Sequence, residues 1–265
     1  MLLISILSLS AKTYLGNPNN YLQKRDSLQA GDSLLLQQGD YLSGFSLSDL
    51  HGDANNWIVI MAQETHAAVL VARSSNNTMN IKNCSYIKVE GLLFDGRNYP
   101  AIDAIKAQDP ANDFTRHMRF ENNRIVNHGG SQQTVGINTK ITCWDWTIRY
   151  NTIIEPGTGI YLGGSEGDTP FIRGLIEFNL VLNPTGYCMQ IKHQNDRPDI
   201  AGIPMEDVTT VIRHNVFAKD DRVSPDGDRP NLLVSGTFEQ GPGSEDRYEI
   251  YGNFLFYNPR ENLFR

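Results

Sequence analysis

Apolar positions along the chain fall in short stretches of four to six residues, separated by Gly, Asn, Asp and Pro. Alternation with period two inside these stretches predicts strands, and no second amphipathic helical stripe follows the first. That first stripe is residues 17–30 (NPNNYLQKRDSLQA). Its asparagines offer an N-cap, Tyr21, Arg25 and Leu28 share a face, and Gly31 ends it, which predicts a helix. Residues 30–41 (AGDSLLLQQGDY) then read as turn, strand, turn.

The strands repeat. Phe120–Ile125, Ile148–Ile153, Ile176–Val181, Ile212–Phe217 and Ile250–Leu255 all have the form apolar-x-x-Asn-x-apolar. Their asparagines, at 123, 151, 179, 215 and 253, are 28, 28, 36 and 38 apart, and a degenerate copy, Val89–Phe94, lies 31 earlier. Short strands at this period predict a parallel β-solenoid in which each coil is one rung. The flanking apolar residues would point inward. The Asn would take the left-handed turn and hydrogen-bond the next rung. The longer intervals imply inserted loops, which in solenoids often cluster on the binding side. A second column, Gly136–Lys140, Gly159–Gly163 and Cys188–Lys192, with residues 103–106 as an earlier member, aligns by alternation. Ile137, Ile160 and Met189 would face in, as would Thr139, Leu162 and Ile191. Asn138, Tyr161 and Gln190 would face out, with Lys140, Gly163 and Lys192.

Composition agrees with a chain that turns often: 24 Asn, 23 Gly and 12 Pro in 265 residues. The net charge of −7 argues against a non-specific nucleic-acid binder, which needs a basic surface. Three scattered cysteines (Cys84, Cys143, Cys188) form neither a disulfide framework nor a zinc motif. Residues 1–11 (MLLISILSLSA) read as a signal-like segment or a first strand, and nothing later is long and apolar enough for a membrane span. The expected layout is a single domain over 12–265, secreted or periplasmic, with its end at 261–265 inside a rung-like pattern, as in a truncated or paired solenoid.

With its opening helix, AGDSLLLQQGDY, IVIMAQ and IKVEGLLFDG, and the Asn rungs behind them, the chain resembles the pectate-lyase-like superfamily. It is nearest in look to the chondroitinase B and alginate lyase type. The resemblance implies an all-β, right-handed parallel β-helix with a short N-terminal helix capping its open end. It also implies β-elimination on uronic-acid polysaccharides: a base takes the C5 proton and a cation neutralises the adjacent carboxylate. Family members carry Lys and Arg-His for these jobs on neighbouring rungs, often with calcium. Lys192 and His193 match the Arg-His pair by position. The family's preceding-rung Lys falls on Gly163, with Lys140 two rungs back as a substitute.

The residues themselves point to the same region. Segment 186–197 (GYCMQIKHQNDR) crowds Gln190, Lys192, His193, Gln194, Asp196 and Arg197, a mix that base chemistry and enolate stabilisation require, against a solvated strand end as the alternative. Lys106, Lys140 and Lys192 would form a basic stripe suited to an anionic chain. Tyr161, among Gly159, Gly163 and Gly164, would sit on an open groove floor as base, acid or sugar platform. Arg213 and His214 form a second Arg-His pair, although Glu121, Arg149, Glu177 and Arg213 read first as an ion-pair ladder across rungs. Arg229 could clamp a carboxylate. Residues 164–168, Asp196 and Asp199 offer oxygens for calcium, a candidate cofactor. The expected catalytic set is therefore Lys192, His193, Tyr161 and Arg213, with Lys140, Gln190, Gln194, Arg197, His214 and Arg229 binding an acidic polysaccharide. Lys192 is the first choice for the base, or for the carboxylate neutraliser if Tyr161 or His193 is the base. The alternatives are a non-catalytic glycan-binding or adhesin solenoid and a glycoside hydrolase of the same fold, which needs two carboxylates in one groove.

Overall fold

The computed structural model describes residues 11–108 and 114–265. The signal-like segment therefore lies outside the described residues, except for Ala11. Short strands stack in three parallel sheets around one core. A typical coil runs Thr147–Arg149 in the first sheet, Thr152–Ile154 in the second and Thr158–Leu162 in the third. It then returns to Leu175–Glu177, which pairs in register on Thr147–Arg149. Strands inside each sheet pair with their equivalents one coil before and after, so the sheets grow along the solenoid axis.

The core consists of three apolar columns, one per sheet. Ile60, Val89, Phe120, Ile148, Ile176 and Ile212 stack from the first sheet. Phe94, Ile125, Ile153, Val181 and Phe217 stack from the second. Met79, Ile105, Ile137, Ile160, Met189 and Leu232 stack from the third. All of these side chains are fully buried. Each contributes about 1.5–3 kcal/mol of apolar transfer. The α-helix covers Tyr21–Arg25 only, within the predicted 17–30, and its buried Tyr21 stacks on Phe45 and donates to the Gly44 carbonyl at 2.9 Å.

At the corner between the first and second sheets, Asn123, Asn151, Asn179, Asn215 and Asn253 stand in one column. The Oδ1 of Asn179 accepts from the backbone N–H and the Nδ2 of Asn151, at 3.1 and 3.0 Å. Its Nδ2 donates back to the Ile148 carbonyl at 2.8 Å and forward to Asn215 Oδ1 at 2.9 Å. The same pattern recurs from Asn123 to Asn253. The turn itself falls elsewhere than expected. The left-handed residues are those just before the column: Asn122, Tyr150, Phe178, His214 and Gly252, with φ of 53, 57, 54, 55 and 64°. The asparagine's amide points inward and saturates backbone groups, so the neighbour whose side chain points outward takes the strained conformation. Stacking offsets part of that strain: the rings of Tyr150 and Phe178 are 5.1 Å apart, and those of Phe178 and His214 5.2 Å.

Glu121, Arg149, Glu177 and Arg213 occupy paired positions and bond in sequence, at 3.0, 3.8 and 2.7 Å. The two inserted loops diverge. The first places Ile200, Ile203 and Val208 beside the first sheet, against Trp144 and Ile172, whereas residues 219–231 flank the third.

Removing one amide from the middle of the column strands several buried donors and acceptors at once. Asn179→Ala is expected to cost about 2–4 kcal/mol. Urea unfolding checks this, with a lower midpoint and an unchanged m-value; a midpoint equal to the parent's would refute the role.

Candidate functional site

The outer face of the third sheet carries a cleft of about 500 Å³. Its floor is set by register. Lys106, Asn138, Tyr161 and Gln190 are paired neighbours on four successive strands. Two residues further along, Lys140, Gly163 and Lys192 form the next column. Gly163 has φ 86°, and a Cβ there would meet Lys192 Cβ at 3.6 Å, so the floor between the two lysines is bare. The single stripe of Lys106, Lys140 and Lys192 is thus corrected. Lys106 pairs with Asn138, one column over, because the strand Ile105–Ala107 is offset by two residues from the alignment expected. All three amines still line the cleft.

Asp103 anchors one end. It is buried; its Oδ1 accepts from the Val135 N–H at 2.8 Å, and its Oδ2 accepts from Asn138 Nδ2 at 2.8 Å and pairs with Lys106 at 3.2 Å. Lys140 occupies the centre. Its Nζ lies 3.5 Å from the Tyr161 ring centroid and donates to Ser165 Oγ at 3.3 Å. Burial first, and then the neighbouring Lys106 and Lys192, lower its pKa to about 8, against an opposing pull from Asp103. The Tyr161 hydroxyl is 3.1 Å from Ser165 Oγ, and burial holds its pKa above the ordinary phenol value.

Arg229 closes the opposite wall. Its guanidinium donates to the Asp226 and Asp228 carbonyls, and it lies 5.8 Å from the Tyr187 ring. The loop that carries it is braced from two sides. Gln132, buried, donates to the Gly227 carbonyl at 2.9 Å and accepts from the Asp226 N–H at 3.0 Å. Buried Lys219 donates to the Arg229 carbonyl at 2.8 Å.

Of the residues singled out in the sequence, the fold thus brings together Lys106, Lys140, Tyr161, Gln190, Lys192 and Arg229. The others are placed elsewhere. His193 is exposed and packs on Gly167, in the loop that delivers Ser165. Gln194 is buried and donates to the Phe171 carbonyl and the Tyr248 hydroxyl. Buried Arg197 is tied to the Asp246 carboxylate and to the Pro204 and Glu206 carbonyls. Arg213 and His214 sit on the first sheet and its corner, engaged with Glu177 and with the ring stack. Adjacency in sequence misled for His193, Gln194 and Arg197, because the chain turns away from the groove after Lys192. Asp103 and Gln132 carry no functional expectation from the sequence, and Ser165 carries one only as part of the calcium candidate 164–168. Only the spacing of Asp103 three residues before Lys106 hinted at a pair. Among the described residues, no three of His, Cys, Asp and Glu converge on one point that could hold a metal.

The sequence matches no protein-family model and no curated protein. Solved structures do share the fold. An alginate lyase from Paenibacillus sp. strain FPU-7 superimposes with a TM-score of 0.56 at 17% identity, over 96% of this chain and 98% of that one. A GH136 lacto-N-biosidase from Eubacterium ramulus gives 0.52 at 11% identity, over 85% of this chain and 55% of that one. The chain has the right-handed parallel β-helix fold of these proteins.

The amine of Lys140 is expected to titrate near pH 8. In the Lys106→Met variant a repelling charge is gone, so the midpoint moves up. NMR of isotope-labelled lysines reads both; a Lys140 signal titrating with the bulk of the lysines would overturn the description.

Proposed function

We propose that this is a carbohydrate-active β-helix protein that cleaves a uronic-acid-containing polysaccharide by β-elimination in the third-sheet cleft. One observation carries the reading: an acidic chain gathers Lys106, Lys140, Lys192 and Arg229 in one cleft with Tyr161, with a central amine whose pKa is about 8. Lys192 and Arg229 pair with the uronate carboxylate and stabilise the enolate that forms when the C5 proton leaves. Lys140, as free amine, takes that proton. This reassigns the base from Lys192, because Lys140 is the amine that burial and two cations depress. As the C4–O4 bond breaks and the C4–C5 double bond forms, the Tyr161 hydroxyl supplies a proton to O4. Its raised pKa keeps it protonated for this task. Asp103 keeps Lys106 and Asn138 in place and does not enter the step.

A hydrolase of this fold has less support. It needs two carboxylates facing one bond, and Asp103 is the one carboxylate among the described residues lining the cleft. It is buried and already shared among three donors. A secreted or periplasmic setting accords with a polymer substrate, and no helix among the described residues is long and apolar enough to cross a membrane.

Uronic-acid polymers incubated with the protein should yield unsaturated product, read by ultraviolet absorbance. The base must be unprotonated, so kcat rises about tenfold per pH unit on the acid side and flattens above about pH 8. Lys140→Ala should lower kcat by about 10²–10⁴-fold while substrate still binds. Binding without product across the panel would instead make this a glycan-binding solenoid.

A further inference from the structure

The catalytic cleft is continuous with a second, larger one. A cavity of about 920 Å³ lies toward the N-terminal coils on the same sheet and shares Ala101 and Lys106 with the first. Its volume is in the upper part of the range for ligand clefts, about 300–1,000 Å³. Its chemistry differs sharply from that of its neighbour. Its polar lining is Asn76, Asn77, Asn80, Gln108, two serines and Tyr99, and Lys106 is the single charged residue among the described ones. That lysine already pairs with Asp103. Asn77 donates to Asn80 Oδ1 at 2.9 Å and its own Oδ1 accepts from the Asp103 N–H at 3.0 Å, which fixes both amides and leaves the Asn80 NH₂ as a donor. Tyr99, 38% exposed, offers a ring.

A polymer laid along the groove crosses the rungs, which stack about 4.8 Å apart, so it passes close to one sugar ring per rung. Between the Lys106 rung and the Lys192 rung, a carboxylate meets Lys106, Lys140 or Lys192, and the intervening Tyr161 rung presents the bare Gly163. In the lining around Asn80 it finds amides and hydroxyls, with Lys82 at the end of the same strand outside that lining, and a carboxylate desolvated against those groups has no compensating charge. Neutral hydroxyls suit those groups, and the ring of Tyr99 suits a pyranose face.

We propose that this arm binds uncharged sugar residues, so that the substrate is a mixed polysaccharide in which the cleaved uronate is flanked by neutral sugars, rather than a homopolyuronate. The inference rests on the proposed function for the position of the cleaved bond. The selectivity of the arm stands on its own lining.

The test compares kcat/KM on polymannuronate and polygalacturonate with that on hyaluronan, chondroitin and a gellan-type glucuronate–glucose polymer. The mixed class is expected to be preferred by at least about tenfold. Asn80→Lys, which adds a cation to the arm, is expected to narrow that ratio, with thermal unfolding confirming that the variant is folded. Preference for a homopolyuronate, or a ratio that Asn80→Lys leaves unmoved, overturns the inference. If no polymer of either class is cut, the elimination reading falls, and calorimetry then reads the arm alone. Tighter binding of uronate–neutral oligosaccharides than of homopolyuronate oligosaccharides of equal length supports it, and equal or weaker binding sinks it.

Discussion

A chain that coils around its own core must bend sharply at every corner without leaving a buried amide or carbonyl unpaired. The stacked asparagines meet that constraint at the corner between the first two sheets. Each amide accepts from the coil before it, donates to a carbonyl of that coil and donates to the next asparagine, so its hydrogen-bonding capacity is used across coils. Because the groups are buried, the geometry tolerates little slip: a coil displaced by one residue would strand donors in a low-dielectric interior. The asparagines therefore fix the register of the coils, and everything downstream in each coil inherits it.

The cleft is one such consequence. Its residues come from four successive strands and the loops beside them, and they meet because the third sheet repeats the register set at the corner. Lys140 meets Tyr161 one coil on, and Gly163 leaves the floor open between Lys140 and Lys192. Burial of the central amine, reinforced by the like charges gathered beside it, is why it gives up its proton readily. The protein's net charge of −7 hides this, since a net excess of acidic residues coexists with a cationic lining in one groove.

The inward columns of the third sheet were legible because alternation with period two assigns each residue to one face: Ile137, Ile160 and Met189 are fully buried. The ion-pair sequence from Glu121 to Arg213 was legible for the same reason. The left-handed corner residue was misassigned, since Asn tolerates that conformation as well as its neighbour does, and only the inward demand on its amide decides which of the two adopts it. Gln194 and Arg197 looked like part of a polar patch, but burial and fixed partners commit them to holding loops. Gln132, which braces the Arg229 loop, carries no local signal, since its partner lies 94 residues away.

The sequence by itself determined the coil: its period, its inward columns and the strands that carry candidate cations. These follow from interactions that repeat at fixed spacing, so they leave a periodic trace. The tertiary structure decided which cations share a space, which one loses its proton and which polar residues are consumed as braces. Those outcomes depend on offsets between strands and on where inserted loops fold back. Such distances arise between coils, and no local pattern of residues encodes them.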